Sequence, residues 1–250
     1  MSIWAQKRKN TIILAILVIS IVPTAFIAFK LYYKAPTCFD NKQNQNERGV
    51  DCGGPCDLYC KGEALPPVVL WQRLFKVAPG IYTASAFIQN PNLSAGASNV
   101  PYTVRLYDAD GVSIYERRGF VDIHPKYSFP VIEATILLRE RTPVRMSFEF
   151  MDDPVWTRQG DELLPITIVD EILYNEKSSP RIEAYLENIT VKDIDKVPVA
   201  AIVYDNNDNA IAVSKTVVDK VPGSSRTKVV FSWPEPFENP VLRKEIIILR

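Results

Sequence analysis

Residues 65–250 carry one pattern twice, and that repeat limits the architecture more than any other feature of the chain. LPPVVLWQRLF at Leu65–Phe75 aligns with LLPITIVDEIL at Leu163–Leu173, and ASAFIQN at Ala84–Asn90 with EAYLEN, ending at Asn188. VPYTVRLYDADG at Val100–Gly111 aligns with VPVAAIVYDNND at Val197–Asp208, and VDIHP at Val121–Pro125 with VDKVP at Val218–Pro222. These four matches keep an offset of 97–98 residues, and RMSFEF at Arg145–Phe150 then matches EIIIL at Glu245–Leu249. A period near 100 means two tandem domains, because solenoid repeats run to only about 20–50 residues.

Each copy reads as strands. Val144, Met146, Phe148 and Phe150 alternate with Arg145, Ser147 and Glu149, the period-2 signature of a half-buried strand. Tyr102, Val104 and Leu106 alternate in the same way, as do Ile182, Ala184 and Leu186. Turn clusters at Asp108–Gly111, His124–Lys126, Asn206–Asn209 and Pro222–Ser225 separate the runs. About seven short strands per copy imply two immunoglobulin-like β-sandwiches, at 65–150 and 165–250. The acidic, polar stretch 151–164 is expected to link them, with Trp156 packing at the domain junction.

Before the repeat, Asn10–Phe29 is a 20-residue run without a charge. As a helix it spans about 30 Å, the hydrocarbon thickness of a bilayer. A transmembrane helix is expected over 10–33, behind a short cytoplasmic tail at 1–9. Pro23 is tolerable there, and Trp4, Tyr32 and Tyr33 suit the two interfaces. Lys7, Arg8 and Lys9 favour an N-terminus inside, against Lys30 and Lys34 on the far side. A cleaved signal peptide would have a shorter apolar core and a small-x-small site, which PTAFIAFKLYYKAP does not offer. The lipid bilayer is therefore one expected partner, through 10–33, and the rest of the chain is placed outside the cell membrane.

All four cysteines, Cys38, Cys52, Cys56 and Cys60, fall in the collar 36–62 between anchor and repeat. Such a short segment has no core of its own, so in an oxidising compartment two disulfides must hold it, in any of three pairings. The competing zinc reading suffers from x3 spacings and the absence of a nearby histidine. Asp40, Asn44, Glu47 and Asp51 are oxygen donors of the kind Ca2+ takes. The same residue types cap turns by bonding backbone amides, and no EF-hand spacing is present, so no metal is expected.

The segment PTCFDNKQNQNERGVDCGGPCDLYC resembles a cysteine-rich motif of bacterial surface and secreted proteins, C-x-D-G-x-x-N-x-x-E-x-x-x-D-C-G-G-x-C. Asp40, Asn44, Glu47, Asp51, Cys52, Gly53, Gly54 and Cys56 match it, while Asn41 stands where glycine is usual. Asn is the next-best residue for a positive φ, so the turn survives. Val104–Gly111 and Ala201–Asp208 resemble the central hairpin of FxLYD-type domains. That resemblance implies small bacterial extracytoplasmic β-sandwiches.

Chemistry is poorly served. The one histidine, His124, precedes Pro125 in a turn, and its repeat counterpart is Val221. No glycine-rich phosphate loop follows a strand, and the pairs Asp108/Asp110, Asp152/Asp153 and Asp205/Asp208 lie in turns where aspartate serves the backbone. The 29 basic and 29 acidic residues leave no net attraction for nucleic acid. No enzyme, catalytic residue or cofactor is expected. The sequence points to a mainly β, single-pass membrane protein with an N-terminal transmembrane helix, a short disulfide-rich segment and two sandwiches that meet a protein partner or act as a spacer. Alternative roles are a structural subunit of an envelope secretion or pilus assembly and a calcium-dependent adhesion module.

Overall fold

The structure, a computed structural model, describes residues 3–32, 37–138, 141–160 and 163–250. It comprises two compact units, Met1–Cys56 and Asp57–Arg250. In the first, α1 (Ile3–Tyr32) contains the uncharged run and begins seven residues before it, so Lys7–Lys9 are helical. Its segment Lys7–Lys30 is long and apolar enough to cross a membrane. The hydroxyls of Thr11, Ser20 and Thr24 donate to carbonyls one turn back, at 2.9, 3.1 and 3.2 Å for Lys7, Leu17 and Ile21. Every hydroxyl of the run then has a partner, which an apolar medium requires. Tyr33 and Lys34, the expected outer flank, lie outside the described residues.

In the second unit every element is a strand: β1 (Val68–Ala78), β2 (Ile81–Gln89), β3 (Ala95–Tyr107), β4 (Ser113–Ile123), β5 (Ser128–Leu137), β6 (Arg145–Phe150), β7 (Thr157–Arg158), β8 (Ile166–Tyr174), β9 (Arg181–Asn188), β10 (Ile194–Asp205), β11 (Ala210–Val221), β12 (Arg226–Ser232) and β13 (Val241–Ile248). Each copy is a sandwich of two antiparallel sheets. The first pairs β1-β2-β5 with β4-β3-β6, and the second repeats this as β8-β9-β12 and β11-β10-β13.

The repeat extends to single hydrogen bonds. Asn90, just after β2, and Asn188, the last residue of β9, are both 1% exposed. Asn90 Nδ2 donates to Ala95 O (2.8 Å) and His124 O (2.9 Å), and Asn188 Nδ2 to Lys192 O (2.7 Å) and Val221 O (3.1 Å). Each side-chain oxygen accepts the amide two residues on, from Asn92 and Thr190, at 3.0 Å. The hairpins match too: Tyr107 lies under Arg145 at 4.2 Å and Tyr204 under Arg243 at 3.5 Å. Gly111 and Asp208, which align, have φ of 76° and 59°, and Asn99 and Lys196 both have 54°.

The two sandwiches share a third core. Tyr82, Ala84, Ala86 and Ile88 of β2 face the interior of the first sandwich, against Val100, Tyr102, Val104 and Leu106 of β3. Val197, Val199, Ala201 and Val203 of β10 face Ile182, Ala184 and Leu186 of β9 in the second. The opposite face of β10 is apolar as well. Ile202 and Tyr204, with Ala210 and Val213 of β11, pack on Phe75 and Phe87, with Trp71 and Ile132 beside them. Trp71 stacks on Phe87 with centroids 5.5 Å apart, and Arg73 reaches across to Asn209 Oδ1 (2.6 Å) and Ala210 O (3.2 Å). Four sheets are thus stacked in the order β4-β3-β6, β1-β2-β5, β11-β10-β13, β12-β9-β8.

The expected linker is partly structural. β7, from within 151–164, pairs with Ala95–Gly96 of β3, and Trp156 packs on the core of the first sandwich. Tyr59 N donates to Trp156 O (2.9 Å), Arg158 N to Asp57 O (2.6 Å) and Leu65 N to Asn92 Oδ1 (2.8 Å). The stretch after Cys56 is therefore held along the first sandwich rather than standing apart in the collar. Asp161 and Glu162 lie outside the described residues.

Candidate functional sites in the collar and at the sandwich junction

The collar is a set of left-handed turns fastened by side chains. Asn41, Asn46 and Asp51 have φ of 58°, 66° and 57°, and Gly53 and Gly54 have 70° and 60°. At Gly54 a Cβ would sit 2.3 Å from Asn46 O, so that position admits no side chain. Asp51 accepts the amides of Asp40 (3.0 Å) and Asn41 (2.9 Å). Asp40 Oδ1 accepts Lys42 N and its Oδ2 the Asn44 side-chain amide, both at 2.9 Å. That Asn44 amide holds the Asp40 carboxyl below its usual range. Glu47 Oε2 accepts the amides of Asn44 (3.1 Å) and Asp51 (3.3 Å).

Asp40, Glu47 and Asp51 thus cap turns, whereas Asn44 binds through its side-chain nitrogen and its buried Oδ1 has no partner among the described residues. Among the described residues, the one set of three carboxylate, imidazole or sulfur ligands close enough to share an ion is Cys38, Glu47 and Cys56. Its two sulfurs are bonded to each other at 1.97 Å. Cys52 and Cys60 are also oxidised, and no cysteine is free. The spacing had left three pairings open, and the structure selects the one containing Cys38–Cys56.

The hairpin carboxylates behave alike. Asp108 Oδ1 accepts Asp110 N (3.2 Å) and Val112 N (2.9 Å), and Asp205 Oδ1 accepts Asn207 N and Asn209 N at 2.9 Å each. Those backbone bonds, led by Asn209, keep the Asp205 carboxyl below its usual range. Asp152 and Asp153 are exposed. His124 is half-buried and set edge-on to Tyr127 at 6.3 Å. Burial first, then the nearby Arg250 cation, lowers its pKa from the usual 6.5. Among the described residues no hydroxyl donates to its ring, so no nucleophile–base pair forms around it.

The junction, where the sequence reading had placed only Trp156, opens into two clefts. One, of about 810 Å3, is bordered by Arg73, Lys76, Asp205, Trp233, Glu235 and Glu238. The other, of about 740 Å3, is bordered by Asp122, His124, Asp195, Lys196 and Arg250. Both mix charges of either sign. Inside the first sandwich, buried Glu133 accepts the Tyr102 hydroxyl at 2.7 Å and pairs with Arg117 at 3.0 Å. Burial, and then Glu133, push the Tyr102 hydroxyl well above its usual range. Gly119 makes room for this ring, because a Cβ there would lie 2.4 Å from the Tyr102 hydroxyl. Val199 stands at the equivalent place in the second copy.

No family model matches the chain, and no curated protein does. Among solved structures, a β-glucuronidase of glycoside hydrolase family 2 is 10% identical, with 81% of this chain and 25% of that one covered, at a TM-score of 0.23. Dimeric latent PorU from Porphyromonas gingivalis is 11% identical, with 74% and 20% covered and a TM-score of 0.23. Red sea bream transglutaminase is 9% identical, with 73% and 31% covered and a TM-score of 0.22. Likenesses this slight, to proteins of which the chain spans a third or less, carry no functional argument.

Proposed function

We propose that this chain is a non-enzymatic, single-pass membrane protein whose two β-sandwiches serve, outside the cell membrane, as one stiff module for contact with a protein partner. The observation that carries the reading is the shared core of Trp71, Phe75, Phe87, Ile202, Tyr204 and Val213. Two domains joined only by a flexible link keep their relative motion, whereas an apolar seam of aromatic and aliphatic side chains removes it. A module held in this way presents surfaces of both sandwiches at a fixed spacing. The apolar helix supplies an anchor, the oxidised cysteines suit an oxidising compartment, and Asp40, Asp51, Asp108 and Asp205 cap turns.

Affinity capture from native membranes tests this. The soluble ectodomain, residues 36–250, is expected to enrich a partner that a version with a broken junction does not. Equal recovery by both would remove the case for a two-sandwich binding module. Hydrolysis of a glycan or peptide substrate by the purified ectodomain would overturn the non-enzymatic reading.

A further inference from the structure

The oxidised cysteines of the collar differ in their surroundings. Cys56 is 2% exposed, and Glu47 Oε1 stands 3.2 Å from its sulfur. Because that sulfur is bonded to Cys38, it carries no proton, and the contact is not a hydrogen bond. Two backbone amides, of Asn44 and Asp51, fix Oε2 of the same carboxylate, which leaves Oε1 aimed at the disulfide with no donor among the described residues. Glu47 is only 6% exposed, and a buried carboxylate oxygen left in that state calls for an explanation. Its partner Cys38 is half-buried and more open than Cys56.

We propose that Glu47 guards the Cys38–Cys56 bond against thiolates, slowing thiol–disulfide exchange with a dithiol donor at that bond. In exchange, a donor thiolate attacks one sulfur, a new S–S bond forms, and the old one breaks with its electron pair leaving on the second cysteine as thiolate. The donor's other thiolate then displaces the first cysteine. The donor ends as a disulfide, and both cysteines end as thiols after protonation. Attack on Cys56 brings a second negative charge against the Glu47 carboxylate. Attack on Cys38 makes Cys56 the leaving thiolate, beside the same carboxylate. Both routes are opposed by like charge in a site with little solvent to screen it, and burial of Cys56 obstructs the first.

Partial reduction of the detergent-solubilised full chain tests the proposal, with cysteamine as a cationic thiol and mercaptoethanesulfonate as an anionic one. Samples are quenched with acid and alkylated, and the labelled cysteines are located by peptide mapping. At Cys38 and Cys56 the anionic thiol is expected to lag the cationic one by at least about threefold. Glu47→Gln should close that gap, and high salt should narrow it in the unmutated chain, an arm that needs no variant to fold. Equal rates for the two reagents at Cys38 and Cys56 would overturn the proposal. So would a Glu47→Gln chain in which both reagents speed up equally, which would make Glu47 a turn cap and nothing more.

Discussion

Asn90 and Asn188 show how much one buried side chain can organise. Each ties the end of a strand to one loop carbonyl, one strand-end carbonyl and one loop amide, so replacing either by alanine leaves several backbone groups dry and unpaired. Asn90→Ala and Asn188→Ala are each expected to cost roughly 3 kcal/mol in urea unfolding of the ectodomain. An Asn-to-Ala loss near zero would show that water takes over these bonds. Asn188-Ile189-Thr190 also has the form of a glycosylation sequon, and its burial bars modification of the folded chain. His124 gives a pH dependence. Its folded pKa lies below its unfolded value of 6.5, so the unfolded chain takes the proton more readily. Its contribution to stability is therefore complete above about pH 6.5 and is lost as pH falls below that value. His124→Val, which installs the residue of the second copy, should flatten the acid side of the stability profile measured from pH 7.5 to 5. An unchanged slope would assign the acid sensitivity to other groups.

At the scale of strands, the alternation of polar and apolar residues was legible, and so were the repeat and the turns. The junction was not recognised, although its signal is present in two strands. Ala200-Ala201-Ile202-Val203 in β10 is a continuous apolar run, the mark of a strand covered on both faces, while the matching Thr103-Val104-Arg105-Leu106 of β3 alternates. Ala84-Ser85-Ala86-Phe87-Ile88 of β2 carries the same message more faintly, because Ser85 is small enough to be buried without looking apolar. Period counting credits each strand with one buried face, and the second face became visible only once the partner sheet was in place. The collar's carboxylates were legible as donors set in turns, and only distances show which backbone amides they accept. Ile202 is fully buried between the sheets. Ile202→Arg, which puts there the residue that β3 carries at Arg105, is expected to cost about 3–5 kcal/mol by burying an unpaired charge. It should also turn one calorimetric unfolding transition of the ectodomain into two. A single transition at an unchanged temperature would mean that the seam contributes no coupling.

For the whole molecule, the two contact faces at the seam are not the same face. The first copy contributes the sheet β1-β2-β5, and the second contributes β11-β10-β13, which matches β4-β3-β6 of the first. A heterologous contact of this kind leaves the same pair of faces unused at the two ends. At those ends the sequence has changed character. Arg105 stands where β10 has Ile202, and it pairs with Glu116 (2.9 Å) and Glu149 (3.2 Å). Glu183 stands where β2 has Ser85, and it pairs with Arg181 (2.8 Å) and Lys228 (2.6 Å). Reverting both ends, with Arg105→Ile and Glu183→Ser, should yield concentration-dependent oligomers in sedimentation velocity where the unmutated ectodomain stays monomeric. A monomeric double variant would show that the end faces differ by more than these two residues. The seam therefore has polarity, as the contact between successive units of a filament does. This chain behaves as the shortest segment of such a polymer, two units long, with ion pairs sealing both of its growing ends.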